Sequence, residues 1–549
     1  MKFLLKNGFI VDGSGRDGYQ GSVVVKNGKI SRIIRSKIDS DSDETKNYEK
    51  VYDLANRVIA PGFIDMHSHA DWIMCFDDHE KVLAPLVEQG VTTVIGGNCG
   101  FSAAPLINNA KNAPLLKMVT DFLAQRELNL EWESLGSYFA HIENNKMLLN
   151  TAMLTGHATT RCSLFGRSHS YPGRKGIKQM EKIMETAFDE GSLGYSLGLG
   201  YEPGIFVKSK ELEKLARRVK KHNRILTVHN KALSKVSGAY PNPLGKAHNI
   251  RALEETIAIA RKTGVKLQIS HLIFVGEKSW PTCDRALEMI DNARAKGVDI
   301  AFDSFPYFNG NTTIHVIYPT WFLDNIEKNL KNPLQIRKLK MMLPFVRLLL
   351  GFGLEDIQLL WGGHPDAEKY NGMFFGEIAR KMNSSVTDAY LKVTEISNGS
   401  ALCLLHKYSG DENNEDTYLK VLAHPLNLIE TDGVLGYKGV RGPHGYGTFP
   451  RIIERYVRER KILTLEEAVA KMSGSSAERF AIRDRGVIKE GNWADITVFD
   501  YDEIKDNTTV KQMEERPDGF KYVFINGEEV LRDGRYLPGT KAGQAIRYS

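Results

Sequence analysis

The chain has 549 residues, a length that suits a large domain with an accessory domain better than one small domain. Hydrophobic residues make up 42% of it and charged residues 26%, as in soluble globular proteins. The net charge of +6, from 73 basic and 67 acidic residues, argues against a dedicated nucleic-acid surface.

The sequence shows no pattern typical of a signal peptide, a membrane span or a disulfide framework. The apolar start of the chain is interrupted at Lys6, Asn7 and Gly8, before it reaches the length of a signal-peptide core. No uninterrupted apolar run is long enough to span a bilayer, so we expect no membrane partner. The five cysteines are scattered and odd in number, which argues against a disulfide framework and favours a cytoplasmic location.

Both ends of the chain are predicted to form short antiparallel strands. Two β-branched runs near the amino terminus are joined by Asn27-Gly28, a pair typical of a type I′ hairpin turn. A second Asn-Gly hairpin turn is predicted at Asn526. Neither end has enough strands to bury a core alone, so we expect residues 1–60 and 485–549 to form one small β-sandwich domain together.

Between these ends, eight short apolar runs alternate with helical patterns. The runs are GFIDMHSH, VTTVIGGNCG, TAMLTGHAT, SLGYSLGLG, RILTVHNKA, VKLQISHLI, VDIAFDSFPY and LNLIETDG. Eight strands alternating with helices predict an α/β fold, a (β/α)8 barrel of the TIM type over residues 61–484. Thr464 and Glu467 form a predicted capping box at the start of the last core helix.

The spacing between the seventh and eighth runs is irregular. The seventh run ends near Tyr307 and the eighth begins near Leu426, a separation too long for one helix with its loops. We therefore interpret residues 309–400 as an insertion over the barrel mouth and as a candidate lid.

Side chains that can bind a metal follow several of the eight runs. In a TIM barrel, catalytic groups lie at the carboxyl ends of the strands. His67 and His69 follow the first run, and their imidazoles face the same way because they are two residues apart on an extended segment. Two such imidazoles can share a divalent ion, and imidazole suits zinc. Two surface histidines in a loop are the alternative, which the polar groups after other runs disfavour.

Three further residues at strand ends are candidate metal ligands. Cys99 follows a Gly-Gly-Asn turn that can direct a thiolate into the barrel mouth, and thiolate is a strong zinc ligand. His229 and His271 end the fifth and sixth runs. A buried neutral cysteine and two structural histidines are the alternative, which the joint presence of the His-x-His pair disfavours.

Asp432 ends the eighth run and is the candidate catalytic residue. A carboxylate beside a metal ion can accept a proton from water and then pass it to a leaving group. The alternative is a turn-forming Asp before Gly433, since Asp-Gly is a common turn pair. Its place on the eighth strand favours catalysis.

Taken together, these motifs resemble the amidohydrolase superfamily and, within it, the N-acyl-D-amino-acid deacylase (D-aminoacylase) branch. The superfamily pattern is PGFIDMHSH, the two later histidines and the Asp after the eighth run. The branch pattern includes GGNCGFS, SLGLGYEPG, DSFPY, ETDG and YGTFPRIIERYVRE. The resemblance covers nearly the whole chain and is weakest in the insertion. It implies a metal-dependent hydrolase that acts on carbon-nitrogen bonds other than peptide bonds.

The resemblance also implies how the metal ligands are divided. Cys99, His229 and His271 would hold one tightly bound Zn²⁺, and His67 and His69 would hold a second, weaker one. Many superfamily members bridge their metals with a carboxylated lysine from the fourth strand. The fourth run, SLGYSLGLG, has no lysine, so the cysteine is the natural substitute.

Further roles follow from the same resemblance. Asp432 would act as general base and then as general acid in the hydrolysis of the amide bond of N-acyl-D-amino acids. The products would be a carboxylate and a free amine. Tyr201, Tyr307 and Thr313, or the adjacent Thr312, would bind this small-molecule substrate.

One departure from the branch concerns substrate recognition. The branch usually has an Arg just before the Gly-Thr-Phe-Pro segment, where it pairs with the substrate carboxylate. Gly445 stands at that place in this sequence. Arg441 lies close by in the sequence and could replace it, or the substrate could lack the carboxylate.

Two other interpretations stay open at this point. A mononuclear zinc deaminase, or another cyclic-amide or lactone hydrolase of the superfamily, would use the same histidines and Asp432. Purine deaminases usually carry a Glu shortly after the fifth-strand histidine, where this chain has Asn230, Lys231 and Ala232. A non-catalytic scaffold on the same fold would have lost ligands that this sequence retains. The sequence leaves open the acyl group, the chirality of the amino acid, and the oligomeric state.

Overall fold

Eight parallel strands in sequence order form the central sheet of the computed structural model. The structure describes residues 2–39, 43–107, 109–166, 168–240, 242, 245–323 and 325–548. The strands are β1 (Phe63–Asp65), β2 (Val91–Gly96), β3 (Asn150–Gly156), β4 (Gly194–Gly198), β5 (Ile225–His229), β6 (Lys266–Ile269), β7 (Ile300–Ser304) and β8 (Asn427–Ile429). The predicted (β/α)8 barrel is confirmed.

Contacts between the segments that follow β8 and β1 bring the first and last strands together. The backbone N–H of Thr431 donates to the Asp65 carboxylate over 3.0 Å, and the Thr431 hydroxyl donates to it over 2.6 Å. The backbone N–H of Asp432 donates to the carbonyl of His67 over 3.1 Å. Two of the candidate site residues are therefore adjacent at the barrel edge.

Amphipathic helices cover the outside of the barrel. In the helix between β4 and β5, Leu212, Leu215, Ala216 and Val219 are buried at spacings of three and four residues, which place them on one face. The helices outside the insertion are Asp71–Met74, Glu80–Glu88, Ala113–Val119, Leu135–Asn144, His157–Phe165, Gly173–Asp189, Ser209–Lys221, His248–Thr263, Cys283–Ala295, Asp416–Ala423, His444–Arg451, Leu465–Met472 and Gly474–Arg479.

Local sequence signals fix the ends of some of these elements. Glu467 donates its backbone N–H to the Thr464 hydroxyl over 3.1 Å and accepts from the Thr464 N–H over 2.9 Å, so the predicted capping box is confirmed. Asn27 and Asn526 have φ of 52°, and each is followed by a glycine with φ of 78°. These two positive values are those of the expected type I′ turns.

The two ends of the chain form one sheet outside the barrel. The strand Val58–Pro61 joins them, because it pairs with Lys2–Ile10 on one side and with Ile496–Phe499 on the other. The rings of Phe3 and Phe524 stack with centroids 4.9 Å apart, so the sheet folds over on itself as the predicted sandwich requires. The strands are Lys2–Ile10, Tyr19–Lys26, Lys29–Ile34, Lys50–Asp53, Val58–Pro61, Ile496–Phe499, Phe520–Ile525, Glu528–Arg532 and Arg535–Tyr536.

The segment between β7 and β8 has its own core. Its antiparallel strands are Asn309–Thr313, Ile357–Trp361 and Leu402–His406. Asn309 pairs with His406, so the small sheet continues past residue 400 and we place the end of the insertion after it. The helices are Thr320–Leu323, Ile326–Leu330, Pro333–Met342, Val346–Leu350, Pro365–Glu368, Phe375–Lys381 and Val386–Ile396. Throughout the described ranges, no helix combines the length and the apolar character needed to cross a bilayer.

Arg485 and Asp495 form a buried ion pair where the terminal sheet meets the barrel. The Asp495 carboxylate also accepts from the Asn150 side chain of β3 over 3.0 Å and from the backbone N–H of Asn526 over 2.8 Å. One buried carboxylate therefore links the barrel to the terminal sheet.

We expect Arg485→Ala to lower the free energy of unfolding by about 3 kcal/mol or more, because it leaves the Asp495 carboxylate buried without its cation. Urea unfolding measures this change. Arg483→Ala is the matched control, since Arg483 is exposed and its loss should cost within about 0.5 kcal/mol. Equal losses in the two variants would contradict the role of the ion pair.

Candidate metal centre

His67 and His69 lie in the loop after β1 and are both buried. Their ring centroids are 5.7 Å apart. Their Nε2 atoms lie 3.5 Å and 3.4 Å from the same oxygen, Oδ1 of Asp432. The two imidazoles therefore converge on one point, as their spacing on an extended segment implies.

Cys99 lies in the tight turn after β2. The turn needs glycine at residue 97, where φ is 76° and a Cβ would lie 2.1 Å from the carbonyl oxygen of Leu154. It directs Sγ of Cys99 to within 3.2 Å of Nε2 of His67, 3.5 Å of Nε2 of His271 and 3.7 Å of Nδ1 of His229. The thiol lies at the centre of the imidazole cluster.

The sulfur–nitrogen separations match those of a zinc site, and the two nitrogen donors lie somewhat closer together than in such a site. A tetrahedral zinc ion lies about 2.0 Å from nitrogen and about 2.3 Å from sulfur, which puts nitrogen donors roughly 3.3 Å apart and nitrogen and sulfur donors roughly 3.5 Å apart. Here Nδ1 of His229 and Nε2 of His271 are 2.8 Å apart, and Sγ of Cys99 lies 3.5 Å and 3.7 Å from them. The donor set of this chain fits a metal ion.

The electrostatics of the cluster favour a thiolate and a carboxylate. Burial raises the pKa of the Cys99 thiol, but the charge of His67 and hydrogen bonds from two other imidazoles hold it well below its ordinary value. Burial also opposes ionisation of Asp432, but the hydrogen bond from His69 and the charge of His67 lower its pKa. Thiolate and carboxylate are the forms that bind a cation and accept a proton.

Three site residues have backbone torsions that L-amino acids other than glycine adopt rarely. The φ angles of Cys99, Asp432 and His271 are 54°, 45° and 31°. Such conformations cost about 1–3 kcal/mol each and persist where the surrounding structure enforces them, most often at functional sites. The barrel directs these three side chains to one point, and the backbone at each of the three residues is strained as a result.

Two acidic residues next to the cluster were missed as site candidates from the sequence. Asp303 on β7 accepts from the backbone N–H of His271 over 2.7 Å, and its carboxylate lies 3.5 Å from Nδ1 of His67. Glu430 is fully buried, and neither carboxylate oxygen has a hydrogen-bond partner among the described residues. Burial raises its pKa well above the ordinary value. The available signal was the position of Glu430 directly after the apolar residues of the eighth run, two residues before Asp432.

The expected substrate residues divide into two groups. Tyr201 belongs to the cluster: its hydroxyl donates to the carbonyl of Cys99 over 2.8 Å, and its ring centroid lies 4.8 Å from that of His229. Tyr307 is buried and donates its hydroxyl to Asp506 over 3.0 Å. The Tyr307 hydroxyl therefore forms its hydrogen bond outside the cluster.

Thr313 and Arg441 also bond outside the cluster. The Thr313 hydroxyl lies 3.3 Å from Nε2 of His315. The Arg441 guanidinium donates to the Gly436 carbonyl over 2.8 Å and to the Tyr446 hydroxyl over 3.1 Å, so it braces the loop that follows Asp432. Arg441 also lines a small cavity beside that loop, together with Thr312, Gln125 and Trp361.

The space beside Gly445 is filled by the side chain of Leu435, which would have to shift to admit a larger residue there. A Cβ there would lie 2.4 Å from a methyl carbon of Leu435. The adjacent His444 is buried, with its ring 4.9 Å from Phe305 and 5.0 Å from Tyr307, and burial lowers its pKa to about 4. Next to the place where the branch usually has an arginine, this chain therefore has a buried neutral imidazole.

Known proteins share this architecture. An amidohydrolase family model matches residues 420–531. N-acyl-D-glutamate deacylase of Alcaligenes xylosoxydans xylosoxydans is 27% identical over 548 residues, covering 100% of this chain and 96% of that protein. The crystal structure of N-acyl-D-glutamate deacylase from Bordetella bronchiseptica, complexed with zinc and a phosphonate mimic of the tetrahedral intermediate, has a TM-score of 0.79, 28% identity and 99% coverage of both chains. A D-aminoacylase with a binuclear metal center has a TM-score of 0.78, 25% identity and the same coverage.

Over nearly its whole length the chain is similar to members of the D-aminoacylase branch of the amidohydrolase superfamily. The resemblance seen in the sequence is confirmed. The similar structures include zinc-complexed and binuclear-metal proteins, and groups of His, Cys and acidic residues that can hold a metal converge here at the carboxyl edge of the barrel. A metal centre is therefore supported at this edge, and the individual ligands stay predictions.

We expect Cys99→Ser to remove most of the bound metal, since a serine hydroxyl does not ionise at neutral pH. Loss of an outer hydrogen-bond partner of a metal ligand already weakens affinity about 10- to 100-fold, so loss of the thiolate should weaken it at least as much. Zinc per protein after dialysis measures the effect. Cys403→Ser, a buried cysteine in the insertion sheet, is the matched control and should keep its zinc. Equal zinc contents in the two variants would mean that the Cys99 thiolate is not a metal ligand.

Proposed function

We propose that the protein is a zinc-dependent hydrolase that cleaves the amide bond of N-acyl-D-amino acids or related N-acyl compounds. The observation that carries this proposal is the convergence of one thiolate, four imidazoles and one carboxylate at the carboxyl edge of the barrel. The full-length similarity to deacylases with these substrates supports the reaction class.

The donor set favours one tight metal position and one weaker position. Cys99, His229 and His271 offer a thiolate and two imidazoles within 3.7 Å of one another. His67 and His69 share their position with Asp432, which offers weaker binding than a thiolate. For the similar D-aminoacylase, one metal activates and a second attenuates. We propose the same division here.

Asp432 is proposed as the proton carrier. A bound zinc ion would supply a Lewis acid for the acyl carbonyl and for the attacking water. The lowered pKa keeps the Asp432 carboxylate ionised at neutral pH, so it can accept a proton from water. Its side chain is 21% exposed, which leaves it open to substrate while His67 beside it is 1% exposed. It then returns the proton to the departing amine nitrogen.

The surrounding residues would hold this carboxylate and the imidazoles in place. Asp303 accepts from the backbone of His271 and faces Nδ1 of His67, the usual arrangement behind metal-binding imidazoles. Asn311 at the start of the insertion approaches the carbonyl of Asp432 at 3.5 Å.

All five cysteines are free, which supports the expected cytoplasmic location.

We expect Asp432→Asn to lower kcat on an N-acyl-D-amino acid by roughly 10²- to 10⁴-fold, because the amide cannot accept the proton. Steady-state hydrolysis with zinc-loaded enzyme measures this loss. The zinc content of the variant should equal that of the parent, which separates proton transfer from metal loss. If the variant kept its activity with zinc bound, Asp432 would not be the proton carrier.

Arg441 is proposed to bind the substrate carboxylate, and Arg441→Ala is expected to raise KM by about tenfold or more with little change in kcat. Tyr446→Phe is the control, since it removes the hydroxyl that braces the guanidinium and keeps the charge. An unchanged KM in Arg441→Ala would mean that the carboxylate is bound elsewhere or is absent.

A further inference from the structure

The insertion carries an exposed apolar surface on the helices Pro333–Met342 and Val346–Leu350 and on the short turn that joins them. Ten large hydrophobic side chains are exposed in the described parts of the chain, and six of them lie within these few turns. The most exposed are Leu334 at 75%, Leu348 at 70% and Phe345 at 58%. The six residues, named the apolar face below, are Leu334, Met341, Met342, Phe345, Leu348 and Leu349.

The apolar face is not the side by which these helices join the fold. Leu339 and Leu343 are buried on the opposite side and pack into the core of the insertion. Leu334, Met341 and Phe345 are spaced by seven and four residues, which puts them on one side of a helical path. A second apolar side that contributes nothing to the core is the pattern of an interaction surface.

Positive charge surrounds the apolar face. Residues 325–350 contain six Lys or Arg and one Glu. Lys328, Lys331 and Arg337 are exposed, and no carboxylate within the described ranges lies in ion-pair distance of them. Two other cations of the segment are paired, Lys340 with Asp388 and Arg347 with Glu355. Among the described residues these three cations have no carboxylate partner, so they can contact an anionic surface.

We propose that the apolar face docks on an anionic lipid bilayer, with its side chains in the acyl boundary and the surrounding cations at the headgroups. Exposed Leu, Phe and Met flanked by Lys and Arg are the composition of helices that lie in the plane of a membrane surface. Cations at such a surface each strengthen binding to anionic lipid. The helices are too short to span, so the contact is peripheral.

Charge decides between a bilayer and a second copy of the chain. In a symmetric dimer the same patch meets itself, so the cations around the apolar face would oppose the cations of the partner. An anionic bilayer instead complements them. The sequence led us to expect no membrane partner, because no segment is long enough to span a bilayer. Peripheral docking needs no such segment, and it does not depend on the proposed hydrolysis.

Vesicle co-sedimentation of the full-length protein tests the proposal. We expect binding to phosphatidylcholine vesicles that contain about one-third phosphatidylglycerol, and binding at least about tenfold weaker to phosphatidylcholine alone or at high salt. Phe345→Glu with Leu348→Glu should abolish it. The matched control is Val51→Glu with Val510→Glu, which places the same charge at exposed apolar positions outside the insertion and should leave binding intact.

A charge-reversal pair keeps the test decisive if the apolar variants misfold. Lys331→Glu with Arg337→Glu changes only exposed side chains and should weaken binding about tenfold or more. Lys175→Glu with Lys182→Glu, on the exposed side of the helix Gly173–Asp189, changes the net charge equally and should have little effect.

Three results would overturn the proposal. The first is no sedimentation with anionic vesicles. The second is equal loss in the charge-reversal pair and its control, which would show general attraction of a cationic protein. The third is a dimer that Phe345→Glu with Leu348→Glu converts to a monomer without any vesicle binding, which would assign the face to a second copy.

Discussion

Removing a thiolate from water costs several kcal/mol unless positive partners surround it, and this constraint organises the candidate site. The sulfur of Cys99 is buried in the barrel edge and lies within 3.7 Å of three imidazoles, from the end of β5 and from the loops after β6 and β1. The imidazoles in turn need anions, which Asp432 and Asp303 supply. The site is therefore a chain of mutually dependent charges, in which removal of any member leaves another uncompensated.

The parts of the fold and site that follow local rules were predictable from the sequence. Strand periodicity, the Asn-Gly turns and the Thr464 capping box depend on neighbours in the chain, and they agree with the structure. The candidate metal ligands could also be identified from the sequence, because each follows or ends an apolar run and the barrel brings the ends of all strands to one edge. Convergence at that edge is a property of the topology, so it needed no knowledge of side-chain packing.

The rest depends on contacts between distant residues. Tyr307 gives its hydroxyl to Asp506, which lies 199 residues further along the chain. The space beside Gly445 is filled by the side chain of Leu435, which lies ten residues earlier in the chain. In the helix Pro333–Met342, only the fold shows that Leu334 and Met341 are exposed while Leu339 is buried. Periodicity identifies an apolar side but does not identify its partner.

The strand Val58–Pro61 has a consequence for how the protein is made. It pairs with Lys2–Ile10, which precede it in the chain, and with Ile496–Phe499, which are synthesised more than four hundred residues after it. The edge of Val58–Pro61 that faces Ile496–Phe499 must therefore stay unpaired while more than four hundred residues of barrel and insertion are synthesised. A chaperone that shields this edge, or a barrel that folds quickly around it, would protect the nascent chain from aggregation.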